Sequence, residues 1–495
     1  MSSIRRARQD AGPDISTRSD TGAPANRWLV LVAMTGSLSM IMLDQTVVTV
    51  ALPAMSDDLG LRPAGQQWVV NAYVLALTAL VAFGGKLGDR VGGVRTFRLG
   101  VAGFFVASAL CGLAPAGGLG EAWIVAARAL QGAAAALMVP TSGAIVISAF
   151  PVQERGRAMA AYVGISQVFL AIGPLIGGAL TEAVSWRAVF WLNVPVGIAA
   201  LVLVAIARPA QTTRPGRIRA GALALLVGGL GATVLAVQEA AGWGWDSPLT
   251  LVVLGAGVAA TATFVVTQAR VPDPLVDVGL LRRKAFLGDV AVNGLVQFGL
   301  LAAVLHSSLY LQDLLGFSPL TTGLAVLAMV LPITVAAQLG GRWFDRAGVR
   351  PPVLAGLVIC TLGMLAWTLA LPYLSYPLQV PGMVLTGFGL GLTISPTNTD
   401  ALSRVGAADR SQASGVLQTV RQLGGTLGVA VVGAVVLGIE HRGTRGPDPQ
   451  AAADAIAAGF AVSTAAFAVA LLVAARLLAR ERVAADPAAA AEAVA

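Results

Sequence analysis

Apolar stretches of about twenty residues recur along the whole chain, separated by short segments rich in charge, glycine and proline. They fall near 28–50, 68–84, 97–114, 123–148, 158–181, 188–207, 220–239, 249–268, 286–310, 320–340, 352–371, 378–398, 412–438 and 458–479. Each is long enough, or nearly so, to cross a bilayer as a helix. Short alternating strands, the mark of a membrane barrel, are missing. The pattern predicts an all-α integral membrane protein with fourteen transmembrane helices. Composition strengthens this: 56% of the residues are hydrophobic, 12% are charged, and the mean hydropathy is +0.77. A soluble domain this apolar would precipitate.

Charge then sets the orientation. The first 27 residues are polar and lack the apolar core of a signal peptide, so the first span is expected to be its own insertion signal. Of 33 basic residues, 27 fall in segments on the N-terminal side of the membrane. Four, Arg62, Arg187, Arg442 and Arg445, fall on the other side, and Arg128 and Arg421 lie within spans. The positive-inside rule then places both termini in the cytoplasm, and the expected location is the plasma membrane. The net charge of +8 is thereby a topology signal and calls for no nucleic-acid partner. The only two cysteines, Cys111 and Cys360, sit inside spans, which argues against a disulfide framework or a metal site. No Walker A motif, nucleophile elbow or catalytic carboxylate pair is present, so an enzyme is not expected, nor a cofactor, and the energy for any work must come from a gradient.

One polar pattern occurs twice. "GKLGDRVGGVR" begins at Gly85 and "GRWFDRAGVR" at Gly341, sharing G-x-x-x-D-R-x-G. Both follow an apolar span on the basic side, and both read as glycine-rich loops. A chain of two parallel repeats explains such a pair. The copies lie eight spans apart, where two six-span halves would place them six apart, so two extra spans stand in the middle. Spans seven and eight, after the linker "RPAQTTRPGRIR", fit that role. The expected organisation is a cytoplasmic tail (1–27), a six-helix bundle (28–207), a linker with two extra helices (208–285), a second six-helix bundle (286–480) and a C-terminal tail (481–495).

At this point the sequence resembles the major facilitator superfamily, specifically its fourteen-span drug:proton antiporters of the EmrB/QacA type. The resemblance runs from about residue 28 to 480. It is carried by "LDQTVVTVALP" at 43–53, the repeated charged motif, "RALQG" at 128–132, "GPLIGG" at 173–178 with Gly164 upstream, and "WRAVFWLNVP" at 186–195. Gly93 and Val94 stand where the family commonly has basic residues. The resemblance implies a proton-driven multidrug or antibiotic exporter that works by alternating access. It implies a latch at Gly85, Asp89, Arg90, Arg95, Asp345 and Arg346, with Asp89 accepting hydrogen bonds from helix amides or pairing with Arg90 or Arg95. It also implies a bendable, closely packed fifth span at Gly173, Pro174, Gly177 and Gly178. Partners implied are protons, membrane lipids and small amphipathic, often cationic substrates, handled by a monomer. The rivals are an exporter of a lipid or a self-made metabolite, a proton-coupled nutrient symporter, and a membrane enzyme or sensor; the last lacks any catalytic constellation.

Charges inside a membrane are costly and usually functional. Asp44 and Arg128 lie at a common depth on spans one and four, both of which line the central cavity in this fold. Burial favours the neutral acid and a neighbouring arginine favours the carboxylate, the balance a proton site requires. Asp44 is the expected proton carrier and Arg128 its tuner; the plain alternative is a static ion pair. Candidate cavity residues are Gln131, Asn293, Gln297, Phe298, Gln418 and Arg421. Arg421 must find a partner or water: an anionic substrate group, or a hydrogen bond to a neighbouring span. His306 is placed near the outer surface and Asp289 at the membrane interface.

Overall fold

Helix ends follow the punctuation of the sequence in the computed structural model, which describes residues 26–479 apart from 211–212, 214–218, 272–273, 275–277, 407–408 and 441–448. The terminal tails expected at 1–27 and 481–495 lie outside it but for Asn26 and Arg27. Among the described residues thirteen helices are long and apolar enough to cross a membrane, fourteen with the bent α5 counted as one span. They are α1 (Arg27–Leu59), α2 (Pro63–Val91), α3 (Gly93–Gly112), α4 (Gly120–Ala149), α5 (Arg155–Ala183), α6 (Trp186–Ala207), α7 (Ala220–Trp243), α8 (Pro248–Gln268), α9 (Lys284–Leu309), α10 (Pro319–Ala347), α11 (Arg350–Ala370), α12 (Tyr376–Ser403), α13 (Arg410–Glu440) and α14 (Pro449–Leu477). Each matches one apolar run. Most are longer than the run, because helices continue past the bilayer through polar turns that hold their own backbone hydrogen bonds. Thus α1 passes through Ser56, Asp57 and Asp58 before Gly60, at φ +64°, stops it. At its start the Asn26 carboxamide accepts from the amides of Trp28 and Leu29 at 3.2 and 3.4 Å, an ordinary N-cap.

The two charged motifs are not loops, contrary to the reading of their glycines. Helix α2 runs through Lys86, Asp89 and Arg90 to Val91, and one residue, Gly92 at φ +105°, turns the chain into α3. Helix α10 likewise carries Asp345 and Arg346 on its last turn and ends at Gly348, φ +80°. A single residue of positive φ suffices for so sharp a reversal, and glycine adopts it without a steric penalty. The charges therefore sit at fixed positions on rigid helix ends.

Helices α1–α6 and α9–α14 form two six-helix bundles with matching internal packing. In membranes apolar side chains gain nothing by leaving lipid for one another, so close approach depends on small residues. In the first bundle Gly132 of α4 lies against the carbonyl of Tyr73 on α2; in the second, Gly387 of α12 lies against that of Met329 on α10. These are the same crossing, fourth span on second, in both halves. Helices α7 and α8 pair with each other at the periphery; α7 touches α2 and α13, while α8 has most of its surface exposed. Leu, Ile and Val side chains point outward all round, as a lipid-facing surface requires.

No side chain fits between Gly132 and the Tyr73 carbonyl without parting α2 from α4. Gly132→Val is expected to cost about 1–3 kcal/mol or more. The loss should appear as a lower midpoint in thermal aggregation of the purified protein, whereas Gly118→Ala, in an open turn with no neighbour within 4 Å of an added Cβ, should move it far less.

Candidate functional site

Helix α1 is 33 residues long, which puts Asp44 near its middle. Opposite stands Arg128 of α4, its Nη1 2.6 Å from Asp44 Oδ2. Asp44 and Arg128 are 2% and 1% exposed. The other carboxylate oxygen accepts from Gln131 Nε2 at 2.9 Å and Asn193 Nδ2 at 3.2 Å. Arg128 also donates from Nη1 to Gln131 Oε1 at 2.6 Å and from Nε to the Val69 carbonyl at 3.0 Å. Its guanidinium lies over the Tyr73 ring, 4.4 Å from the centroid. Ser108 closes the network, accepting from Gln131 and Asn193 at 3.2 and 2.8 Å and donating to the Phe190 carbonyl at 3.0 Å. A buried ion pair persists when hydrogen bonds satisfy its remaining atoms, as they do here.

The network also accounts for "WRAVFWLNVP". Arg187 Nη1 lies 2.5 Å from Asp58 Oδ2, and Trp186 Nε1 donates to that oxygen at 3.1 Å. This pins the start of α6 to the end of α1. Less than two turns on, Asn193 then reaches Asp44. Gln131, expected in the cavity, belongs to this network instead, because its side chain follows Arg128 onto the same side of α4.

On the basic side the two bundles are clasped twice. Asp89 of α2 accepts from the amides of Ser411 and Gln412 at 3.0 and 2.8 Å, the first turn of α13. Asp345 of α10 accepts from those of Gly156 and Arg157 at 3.0 and 3.3 Å, the first turn of α5. Each is a second span capping the fifth span of the other bundle, and a carboxylate is favoured at that end of a helix. Close approach permits it: Gly85 faces the Ser411 carbonyl and Gly341 that of Gly156. Asp89 pairs with backbone amides and not with Arg90 or Arg95; among the described residues neither arginine forms an ion pair with it. Arg95 and Arg346 are exposed and Arg90 is half-buried. Arg410 Nη1 donates to Ser148 Oγ at 3.0 Å, a further tie between α13 and the end of α4.

Between the bundles lies a cavity of about 510 Å³. It is lined by α1, α2, α4, α5, α9, α10, α12 and α13, and reaches Thr49, Gln312, Thr322 and Gly323 at the end away from the clasps. Its wall is mostly leucine, valine, isoleucine and methionine, with the amides of Gln45, Gln167, Gln297, Gln312, Asn398, Gln418 and Gln422. Gln297, Gln418 and Arg421 are on its wall. Asn293 is not: it is buried and donates to the Asp289 carbonyl at 2.9 Å. Phe298 packs where α9 crosses α13 at Gly428. Asp44 is one residue from the lining Gln45 but points to the opposite side of α1.

In α5 the segments Val152–Leu170 and Leu175–Ala183 meet at 46°, the bend falling where Pro174 stands, as proline requires; its side chain is outside the described residues. Gly173 and Gly177 face Thr46 and Val47 of α1, and Gly178 lies 4.0 Å from Val50 by its would-be Cβ. His306 is buried against α13, with Nδ1 2.9 Å from the Ala302 carbonyl. Asp289, in the second turn of α9, is wholly buried and faces Asp400, close to the end of α12; Asp400 accepts from Arg404 Nε at 2.5 Å. Gln45 and Gln167 on the cavity wall, Asn193 beside Asp44 and Asp400 beside Asp289 are polar positions that the sequence reading passes over; the available signal is the spacing of polar side chains along otherwise apolar spans.

The family model described as Major Facilitator Superfamily matches residues 34–429. Among curated proteins, the puromycin resistance protein pur8 of Streptomyces alboniger is 35% identical over 482 residues, 94% of each chain. The tetracenomycin C resistance and export protein of Streptomyces glaucescens is 33% identical over 420 residues, covering 84% of this chain and 77% of that one. Among solved structures, that of the human organic anion transporter MFSD10 (TETRAN) aligns with a TM-score of 0.64 at 16% identity, covering 91% of this chain and 99% of that one; at that identity the likeness concerns the fold.

Removing one partner of the ion pair leaves the other charge uncompensated. Arg128→Met is expected to destabilise the purified protein by about 3–5 kcal/mol. The double variant Asp44→Asn/Arg128→Met should recover part of that loss, the non-additivity in a thermal melt reporting the coupling.

Proposed function

This chain belongs to the major facilitator superfamily, and from that premise we propose that it exports small amphipathic drugs or antibiotics across the plasma membrane in exchange for protons. It is a drug-efflux transporter, as its relatives' names indicate for them. The observation that carries the proton coupling is the position of Asp44: a buried carboxylate on a cavity-lining helix, one residue from the lining Gln45 and held by a single cation. In the conformation described, the basic side is clasped shut and the cavity reaches the opposite end. By the positive-inside rule this is the outward-facing state, with both termini cytoplasmic.

The proposed cycle needs few parts. A proton from outside neutralises Asp44, which weakens its hold on Arg128 and loosens α1 against α4. The bundles, residues 28–207 and 286–480, then rock about the cavity while 208–285 follows as a peripheral insert. The clasps at Asp89 and Asp345 open, Asp44 loses its proton to the cytoplasm, and substrate enters. Rebinding of the helix amides by both aspartates resets the outward-facing state. The bend and the close packing of α5 on α1 keep the moving elements tight enough to prevent uncoupled leakage. One chain holds every part, so the unit is a monomer.

In proteoliposomes with an imposed pH gradient, Asp44→Asn is expected to abolish gradient-driven substrate accumulation while sparing substrate counterflow. Accumulation equal to wild type would remove Asp44 from the coupling step. For the clasps, Asp89→Ala/Asp345→Ala should shift the population toward the inward-facing state. A cysteine at Ser414 would then react several-fold faster with a membrane-impermeant reagent applied from the basic side; an unchanged rate would deny the clasps a conformational role.

A further inference from the structure

The cavity has one formal charge. Among the described residues that line it, Arg421 of α13 is the only ionisable side chain apart from Tyr162; no aspartate, glutamate, lysine or histidine reaches the wall. Asp44 cannot supply a negative charge there, since it is buried behind α1 and matched by Arg128. Asp289 and Asp400 are likewise buried away from the lining. Among the described residues Arg421 has no carboxylate partner. Its hydrogen bond there is a long one, from Nη2 to Gln297 Oε1 at 3.4 Å, which leaves most of its five N–H donors uncommitted. Beside it on the wall stand Gln418 and Gln422 of the same helix and Gln297 of α9. The remainder of the wall is largely aliphatic.

From this we infer that the substrate is an amphipathic organic anion, its carboxylate, phenolate or sulfonate taken up by Arg421 and its apolar frame by the aliphatic wall. The inference rests on the exporter reading above and narrows it; it also reverses the cationic substrate expected from family resemblance. A guanidinium facing a cavity walled by low-dielectric side chains, with no counter-charge, attracts an anion and repels a cation. Its planar fork matches two oxygens of one acid group. The flanking carboxamides can donate to the remaining oxygens.

A matched pair of dyes isolates the charge. Anilinonaphthalenesulfonate and N-phenylnaphthylamine share an aromatic frame and differ in the sulfonate; ethidium supplies a cation. Binding is measured on the purified full chain in nanodiscs, with empty nanodiscs subtracted. Wild type is expected to bind the sulfonate roughly tenfold or more tighter than the uncharged dye, and ethidium more weakly than either. Arg421→Gln should weaken sulfonate binding roughly ten- to hundredfold and affect the uncharged dye far less, with Arg421→Lys intermediate. If Arg421 merely braces α13 against α9, Arg421→Gln will weaken all three dyes alike and the inference falls. Equal binding of the matched pair by wild type, or a preference for ethidium, also overturns it. Gradient-driven export of the uncharged dye tests the exporter reading separately. If that dye is pumped without any sulfonate preference, only the anion assignment is lost. If none of the three is bound or pumped, the exporter reading goes and the anion assignment with it.

Discussion

Two carboxylates, each accepting hydrogen bonds from the first amides of a helix in the opposite bundle, make this molecule one-sided. Asp89 on α13 and Asp345 on α5, with the glycine contacts beside them, close the space between the bundles at the basic face. The bond type suits the task. A helix N-terminus has unsatisfied amides that must be bonded somewhere. Water can replace a carboxylate there at the membrane surface, so such a clasp can break without stranding a charge in lipid. An arginine–carboxylate pair at the same place would have been tighter and less readily exchanged.

Deeper in, the opposite solution holds. The Asp44–Arg128 pair is buried. Its carboxylate and guanidinium are met by Gln131, Asn193 and the Val69 carbonyl, and Ser108 ties these to the Phe190 carbonyl. That closure makes a change in the ionisation of one oxygen consequential, since it reaches α1, α4, α3 and α6 together. It also withholds a negative charge from the cavity, so that Arg421 sets the electrostatic character of the wall. In the reading proposed above, coupling and recognition thus occupy different faces of the helices that wall the cavity.

Much of this is legible in the sequence. Fourteen apolar runs correspond to fourteen helices, and the recurrence of G-x-x-x-D-R-x-G exposes the internal repeat by itself. Asp44 and Arg128 stand out because charge is rare in such runs. What cannot be read is partnership. The donors to Asp89 and Asp345 are backbone amides, which carry no residue signature. A helix buried on most sides has little amphipathic pattern, so the face presented by Gln131, Asn293 or Phe298 is not encoded in periodicity. The charged motif suggests a loop because two adjacent glycines usually mark one, whereas only Gly92 leaves helical geometry.

The pair α7–α8 lies outside the machinery, touching α2 and α13 and little else. Its arithmetic matters more than its contacts. A hairpin crosses the bilayer and comes back, so the chain resumes on the face it left and the second bundle keeps the same polarity as the first. A lone inserted helix would have turned that bundle upside down and set Asp345 on the wrong surface to meet α5. Only an even-numbered insertion could enter a head-to-tail duplication of this kind without dismantling its two-fold relationship.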